Sequence, residues 1–266
     1  NANPSWNAAD IATSADGARG VFVADMDNDG DMDILSASEE DDAIAWYEND
    51  GNANPSWNAA DIATSADGAN GVFAADMDND GDIDIVSASH TDDTIAWYEY
   101  DLSTGTGPSW TAADIDTNAD GAVAVFVADM DNDGDMDIVS VSGEDNTTAW
   151  YENDGNVNPS WSATDIATSG YDPYGLFVAD MDNDGDQDIV VAFVEDDKIV
   201  WYENTATFSF DPTWTASDIA TSASAASGVF AADMDNDGDI DILSASFADD
   251  KVAWYENLGD TDDDDI

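Results

Sequence analysis

The chain contains no cysteine, so neither disulfides nor thiolate chemistry contribute to it, and its redox compartment cannot be read from cysteine usage. Basic residues are almost as scarce. Three Lys and Arg face 62 Asp and Glu, a formal charge of −59, and such a surface repels phosphate backbones and anionic headgroups. Nucleic acid is excluded as a partner on that ground. No apolar run approaches the ~18 residues of a membrane span, so membrane insertion is not expected either. There is one histidine, His90, and neither a G-x-S-x-G elbow nor a His-rich metal motif, which removes the usual signatures of nucleophilic and zinc catalysis. The chain begins at Asn1 without a signal-peptide pattern and reads as a mature product or an excised domain, with extracellular placement expected.

What is present is repetition. Trp6, Trp57, Trp110, Trp161 and Trp214 are spaced 51, 53, 51 and 53 apart, and Trp46, Trp97, Trp150, Trp201 and Trp254 repeat those spacings. All ten Trp therefore obey one period. Within each unit an acidic motif begins 19 residues after the first Trp and 21 residues before the second. Length changes fall between WYE and the next Trp, in segments rich in Gly, Asn, Thr and Pro, as surface loops are.

Four strands are predicted per unit, in the first at Val21 to Ala24, Ile34 to Ser38, Ile44 to Glu48 and Ser56 to Ala63. Adjacent Trp46 and Tyr47 must point to opposite faces of a sheet, so each unit needs a neighbour on both sides. The chain opens with the segment type that ends a unit and stops after the third strand of the fifth. The expectation is an all-β, five-bladed β-propeller of four-stranded blades, one domain over 1–266, its ring closed by the N-terminal strand.

Between the first and second strands of every unit lies one nine-residue run. It spans 25–33 (Asp25, Asp27, Asp29, Asp31, Asp33) and 76–84 (Asp76, Asp78, Asp80, Asp82, Asp84). It recurs at 129–137 (Asp129, Asp131, Asp133, Asp135, Asp137), 180–188 (Asp180, Asp182, Asp184, Asp186, Asp188) and 233–241 (Asp233, Asp235, Asp237, Asp239, Asp241). Calcium takes 6 to 8 oxygen ligands, and alternate side chains of a tight loop converge on one point. Positions 1, 3, 5 and 9 are expected to supply carboxylates and position 7 a backbone carbonyl, with about five calcium ions per chain. Gly30, Gly81, Gly134, Gly185 and Gly238 stand where the loop must turn with positive φ. Position 12, where an EF-hand needs Glu, holds Ser36, Ser87, Ser140, Val191 and Ser244, so these are not EF-hands.

The D-x-D-x-D-G-x-x-D loop follows Gly20-Val21-Phe22, Gly71-Val72-Phe73, Gly175-Leu176-Phe177 and Gly228-Val229-Phe230, while the third unit has Ala124 in place of the Gly. Together these features resemble the FG-GAP or VCBS repeat family. That resemblance covers essentially the whole chain. It implies a propeller with calcium between the first two strands of a blade and roles in adhesion or surface architecture; integrin-type members have seven blades and calcium in only some, against five blades and five complete loops here.

Glu48, Glu99, Glu152, Glu203 and Glu256 could suggest glycosidase carboxylates, but five equivalent copies argue against a catalytic site, which breaks symmetry. The protein is therefore expected not to be an enzyme, and the Trp set is expected in inter-blade cores rather than on sugars. His90 reads as a surface residue, and Asn146-Thr147-Thr148 is a lone glycosylation sequon. Where the repeats differ, Tyr171, Tyr174, Phe193 and Phe247 form an apolar patch expected on the face opposite the calcium loops, and Phe208 and Phe210 a second one on the calcium face. The functional expectation is a calcium-stabilised extracellular structural or adhesive module that associates with copies of itself, head to tail. A glycan-binding, lectin-like propeller stands as the first alternative and a five-bladed glycosidase-type enzyme as the second, less favoured one, with glycans or surface proteins as the other partners considered.

Overall fold

The computed structural model describes residues 6–101, 109–206 and 212–259, and there the chain is β throughout. Blade one comprises β1 (Ala18–Ala24), β2 (Asp33–Ser38), β3 (Ala43–Asn49) and β4 (Trp57–Ala63). Blade two comprises β5 (Ala69–Ala75), β6 (Asp84–Ser89), β7 (Thr94–Asp101) and β8 (Ser109–Asp116). Blade three follows with β9 (Ala122–Ala128), β10 (Asp137–Ser142), β11 (Thr147–Asn153) and β12 (Trp161–Ala167). Blade four has β13 (Pro173–Ala179), β14 (Asp188–Phe193), β15 (Lys198–Asn204) and β16 (Trp214–Ala220), and blade five β17 (Ala226–Ala232), β18 (Asp241–Ser246) and β19 (Lys251–Tyr255). Each blade is an antiparallel meander, and the five are arranged as a β-propeller.

The blades cohere through their faces. β1 packs on β5, β5 on β9, β9 on β13 and β13 on β17. In the first interface Met26, Leu35, Ile44 and Trp46 of blade one meet Val72, Ile85, Ala96 and Tyr98 of blade two. Trp97, the neighbour of Tyr98, points forward into the interface with blade three. This is the opposite-face placement that alternation along a strand demands. Trp46, Trp97 and Trp150 are each about 5% exposed or less, which withdraws them from any sugar-stacking surface. A ladder of phenylalanine rings, Phe22, Phe73, Phe126, Phe177 and Phe230, runs through the centre with successive centroids 4.3 to 5.3 Å apart.

Two expectations need correction. The segment that should complete the fifth blade is described from Trp6 onward and is not a strand there; Trp6 is 89% exposed, and blade five holds three strands. The faces that a closed ring would bury are open, with Val21 at 71% and Val252 at 82% exposure. Among the described residues, then, blade five neither gains a fourth strand nor packs on blade one. Phe193 likewise leaves the expected surface patch. It is 1% exposed and packs between blades three and four, while Tyr174 is half-buried against the same core and Tyr171 and Phe247 stay exposed. Phe208 and Phe210 lie outside the described residues.

Candidate metal centres

Each acidic run connects the first strand of a blade to the second, and its backbone is wound by its own carboxylates. Asp25 accepts the N–H groups of Asp29 and Gly30 (3.0 Å each), Asp27 accepts that of Asp29, and Asp29 accepts that of Asp31. Blade two repeats the pattern with Asp76, Asp78 and Asp80. The turn that makes this possible needs a left-handed residue twice. Position 4 supplies Asn28, Asn79, Asn132, Asn183 and Asn236 at φ between 59° and 65°, and position 6 supplies glycines at φ between 96° and 103°, which L side chains rarely adopt.

The winding brings carboxylate oxygens together. Those of Asp25, Asp27 and Asp29 lie within 4.8 Å of one another, as do those of Asp180, Asp182 and Asp184 and of Asp233, Asp235 and Asp237. In blades two and three the group is Asp76, Asp78 and Asp84, and Asp129, Asp131 and Asp137. Two oxygens bound to one calcium at about 2.4 Å can be no farther apart than about 4.8 Å, so an all-oxygen donor set at this spacing fits that ion.

Burial, and after it neighbouring charge, disfavours ionisation within these clusters. Desolvation, and after it the neighbouring Asp80, pushes Asp78 up to about 6; desolvation and Asp133 do the same to Asp131. Asp27 and Asp182 move in the same direction. Only three basic residues exist to offset this, and they are engaged elsewhere: Arg19 with Glu39, Lys198 with Asp218 and Lys251 with Asp249.

Position 9 has a second task. Asp33 accepts the N–H of Met26 at one oxygen (3.1 Å) and that of Asn49 at the other (2.7 Å), tying the loop to the end of the third strand. The equivalent Asp84, Asp137 and Asp188 are buried, and desolvation carries each to about 7 despite those two hydrogen bonds. Position 7 points away from the cluster. Asp135 and Asp186 accept instead from Asn79 and Asn132 of the preceding blade, both at 2.7 Å.

Those asparagines are functional positions that a motif reading passes over. Asn28 likewise donates to the carbonyl of Gly81, and Asn183 to that of Gly238, so every loop holds the next one. A second set runs the other way: Asn153, Asn204 and Asn257 donate to the carbonyls of Met77, Met130 and Met181 in the blade before. At the far end of the blades Asp42, Asp93, Asn146 and Asp197 each accept a backbone N–H from the following blade at 2.8 to 2.9 Å. Recurrence at one register was the available signal for all three sets.

Comparison with solved structures agrees with this architecture. An exotype rhamnogalacturonan lyase, YesX, superposes with a TM-score of 0.53 at 14% identity, covering 90% of this chain and 47% of the lyase. A protein from Lactobacillus plantarum superposes at 0.52 and 14%, covering 91% and 71%. At that identity the likeness is one of fold alone, and the chain spans about half the length of the lyases it matches. No curated protein matches the sequence. The FG-GAP-like repeat, however, matches four overlapping stretches, residues 25–87, 76–140, 129–191 and 180–244, each running from one acidic loop into the next. The chain belongs to the FG-GAP-like repeat family.

Proposed function

We propose that the protein is a calcium-stabilised, non-enzymatic structural module that works outside the cell and associates with copies of itself. The observation that carries this reading is the fivefold recurrence of an all-oxygen carboxylate cluster, whose buried members Asp78 and Asp131 are raised by desolvation first and by neighbouring charge second, a penalty that a bound cation would relieve. A catalytic centre needs one blade to differ from the rest in its chemistry, whereas here the acidic groups are repeated around the array. Five divalent ions would bring −59 to about −49. Extracellular modules bind calcium at about 10⁻⁴ to 10⁻³ M, and saturation at roughly 100 times the dissociation constant adds about 2.7 kcal/mol per site. Thermal melting in calcium and in EDTA tests the reading: a marked fall in Tm on chelation is expected, and unchanged curves at low salt would overturn it.

A further inference from the structure

Between blades four and five lies a cavity of about 670 Å³, lined by Met181 and Trp201 on one side and by Ile240, Ile242 and Tyr255 on the other. The corresponding place in the other interfaces is filled. Trp110, Trp161 and Trp214, each from the fourth strand of the following blade, pack into the first, second and third cores, and Trp110 stands edge-on to Trp46 at 6.4 Å. The fourth core contains no such residue. Its equivalent in the repeat is Trp6.

Which Trp6 can reach it follows from the linkers. Five residues separate each fourth strand from the next blade, as 64–68 do between β4 and β5, and five residues, 13–17, separate Ala12 from β1. The N-terminal segment can therefore only lie along whatever blade directly precedes blade one. Blade five of the same chain does not occupy that position: Phe230 continues no ring ladder to Phe22, and Gly228, unlike Gly175, meets no following blade. Continuing the four existing interfaces by one more step, without altering any of them, places blade one of another copy there.

We propose that the cavity receives Trp6 of a second copy, whose segment 6–12 pairs with β19 as the fourth strand of blade five while its β1 packs on β17. This deepens the self-association in the function proposed above and rests on it. The seam is chemically prepared. Met234, Val252 and Trp254 are 47%, 82% and 49% exposed on blade five, against buried Met26, Ile44 and Trp46 on blade one, and Val21 and Val23 are open on the receiving side against buried Val72 and Ala74. Asn236 is placed to hold the copy's loop at Gly30, and the copy's Asn49 to reach the carbonyl of Met234, as their counterparts do between blades. The contact is heterologous and propagates head to tail.

Cysteine cross-linking tests this, since the chain has none of its own. Asn58 pairs with Glu48 in blade one, so Asn7 should pair with Glu256 across the seam. Single variants Asn7→Cys and Glu256→Cys, mixed in millimolar calcium at physiological salt and oxidised, should form a mixed disulfide dimer. Adding Trp6→Ala to the first should weaken association by ~100-fold, the scale of losing a buried aromatic anchor. No mixed dimer, or a double variant that closes only on itself as a monomer, overturns the proposal. So does a yield indifferent to Trp6→Ala, which would assign the cavity to another occupant. Calcium binding without a mixed dimer overturns this inference alone; a mixed dimer with no calcium stabilisation overturns the calcium reading alone.

Discussion

Phe193 shows how one residue can be misread and why. It stands where blades one, two, three and five have Ser38, Ser89, Ser142 and Ser246, all nearly inaccessible, so the position is an interior one whatever occupies it. Its ring fits because blade four has Gly170 where the others have Ala15, Ala66, Ala119 and Ala223; a Cβ at Gly170 would lie within the ring. The two departures compensate each other, which is legible only when both are compared at one register. Gly170→Ala should therefore destabilise by about 1–3 kcal/mol through overpacking. Urea unfolding in calcium would show it, and Phe193→Ser in the same chain should restore part of the loss. The acids make a different prediction. Asp84, Asp137 and Asp188 sit near 7 in the folded, ion-free chain against an ordinary 3.8, so the native state keeps protons that the unfolded chain releases. The unfolded state then binds fewer protons, and stability in EDTA should fall as pH rises from about 4 to about 7. Saturating calcium should remove or reverse that slope, which urea midpoints at the two ends of the window will measure. At the ligands, Asp25→Ala should remove one site of five, counted by calorimetric stoichiometry.

At the level of strands, agreement between sequence and structure is close because each strand is marked by local chemistry. The segment expected at Ile44 to Glu48 is observed at Ala43–Asn49, and that at Ile34 to Ser38 at Asp33–Ser38. Turns declare themselves by Asn and Gly at positive φ. The metal loops were legible for the same reason, being short and locally wound. What the motif did not show is that positions 1, 3 and 5 converge in blades one, four and five but positions 1, 3 and 9 in blades two and three, and that the position 7 side chains of blades three and four take a partner from the preceding blade. The segment 6–12 has the composition of a fourth strand yet forms no strand pair among the described residues. Its partner would have to come from a blade far away in sequence, and no single segment encodes that. The second Trp of each blade should matter most to those interfaces. Trp150→Ala, at 4% exposure, is expected to cost about 3–5 kcal/mol, measured by denaturant unfolding with calcium saturating.

For the molecule as a whole, the extensive contacts among the described strands run within a blade or from one blade to the next. Stability of such an array is a sum of blade terms and nearest-neighbour terms, as in a one-dimensional lattice, rather than the property of one indivisible core. Blades two, three and four have two neighbours each and blade five has one, with its third strand nearly bare. Amide exchange should therefore be graded along the chain, slowest in β10 and β14 and fastest in β18 and β19, and a copy docked at the seam would convert the most rapidly opening blade into an interior one. Folding of the array can start at any internal pair and spread outward, so that in the proposed assembly docking of a copy and folding of the last blade would become a single cooperative event.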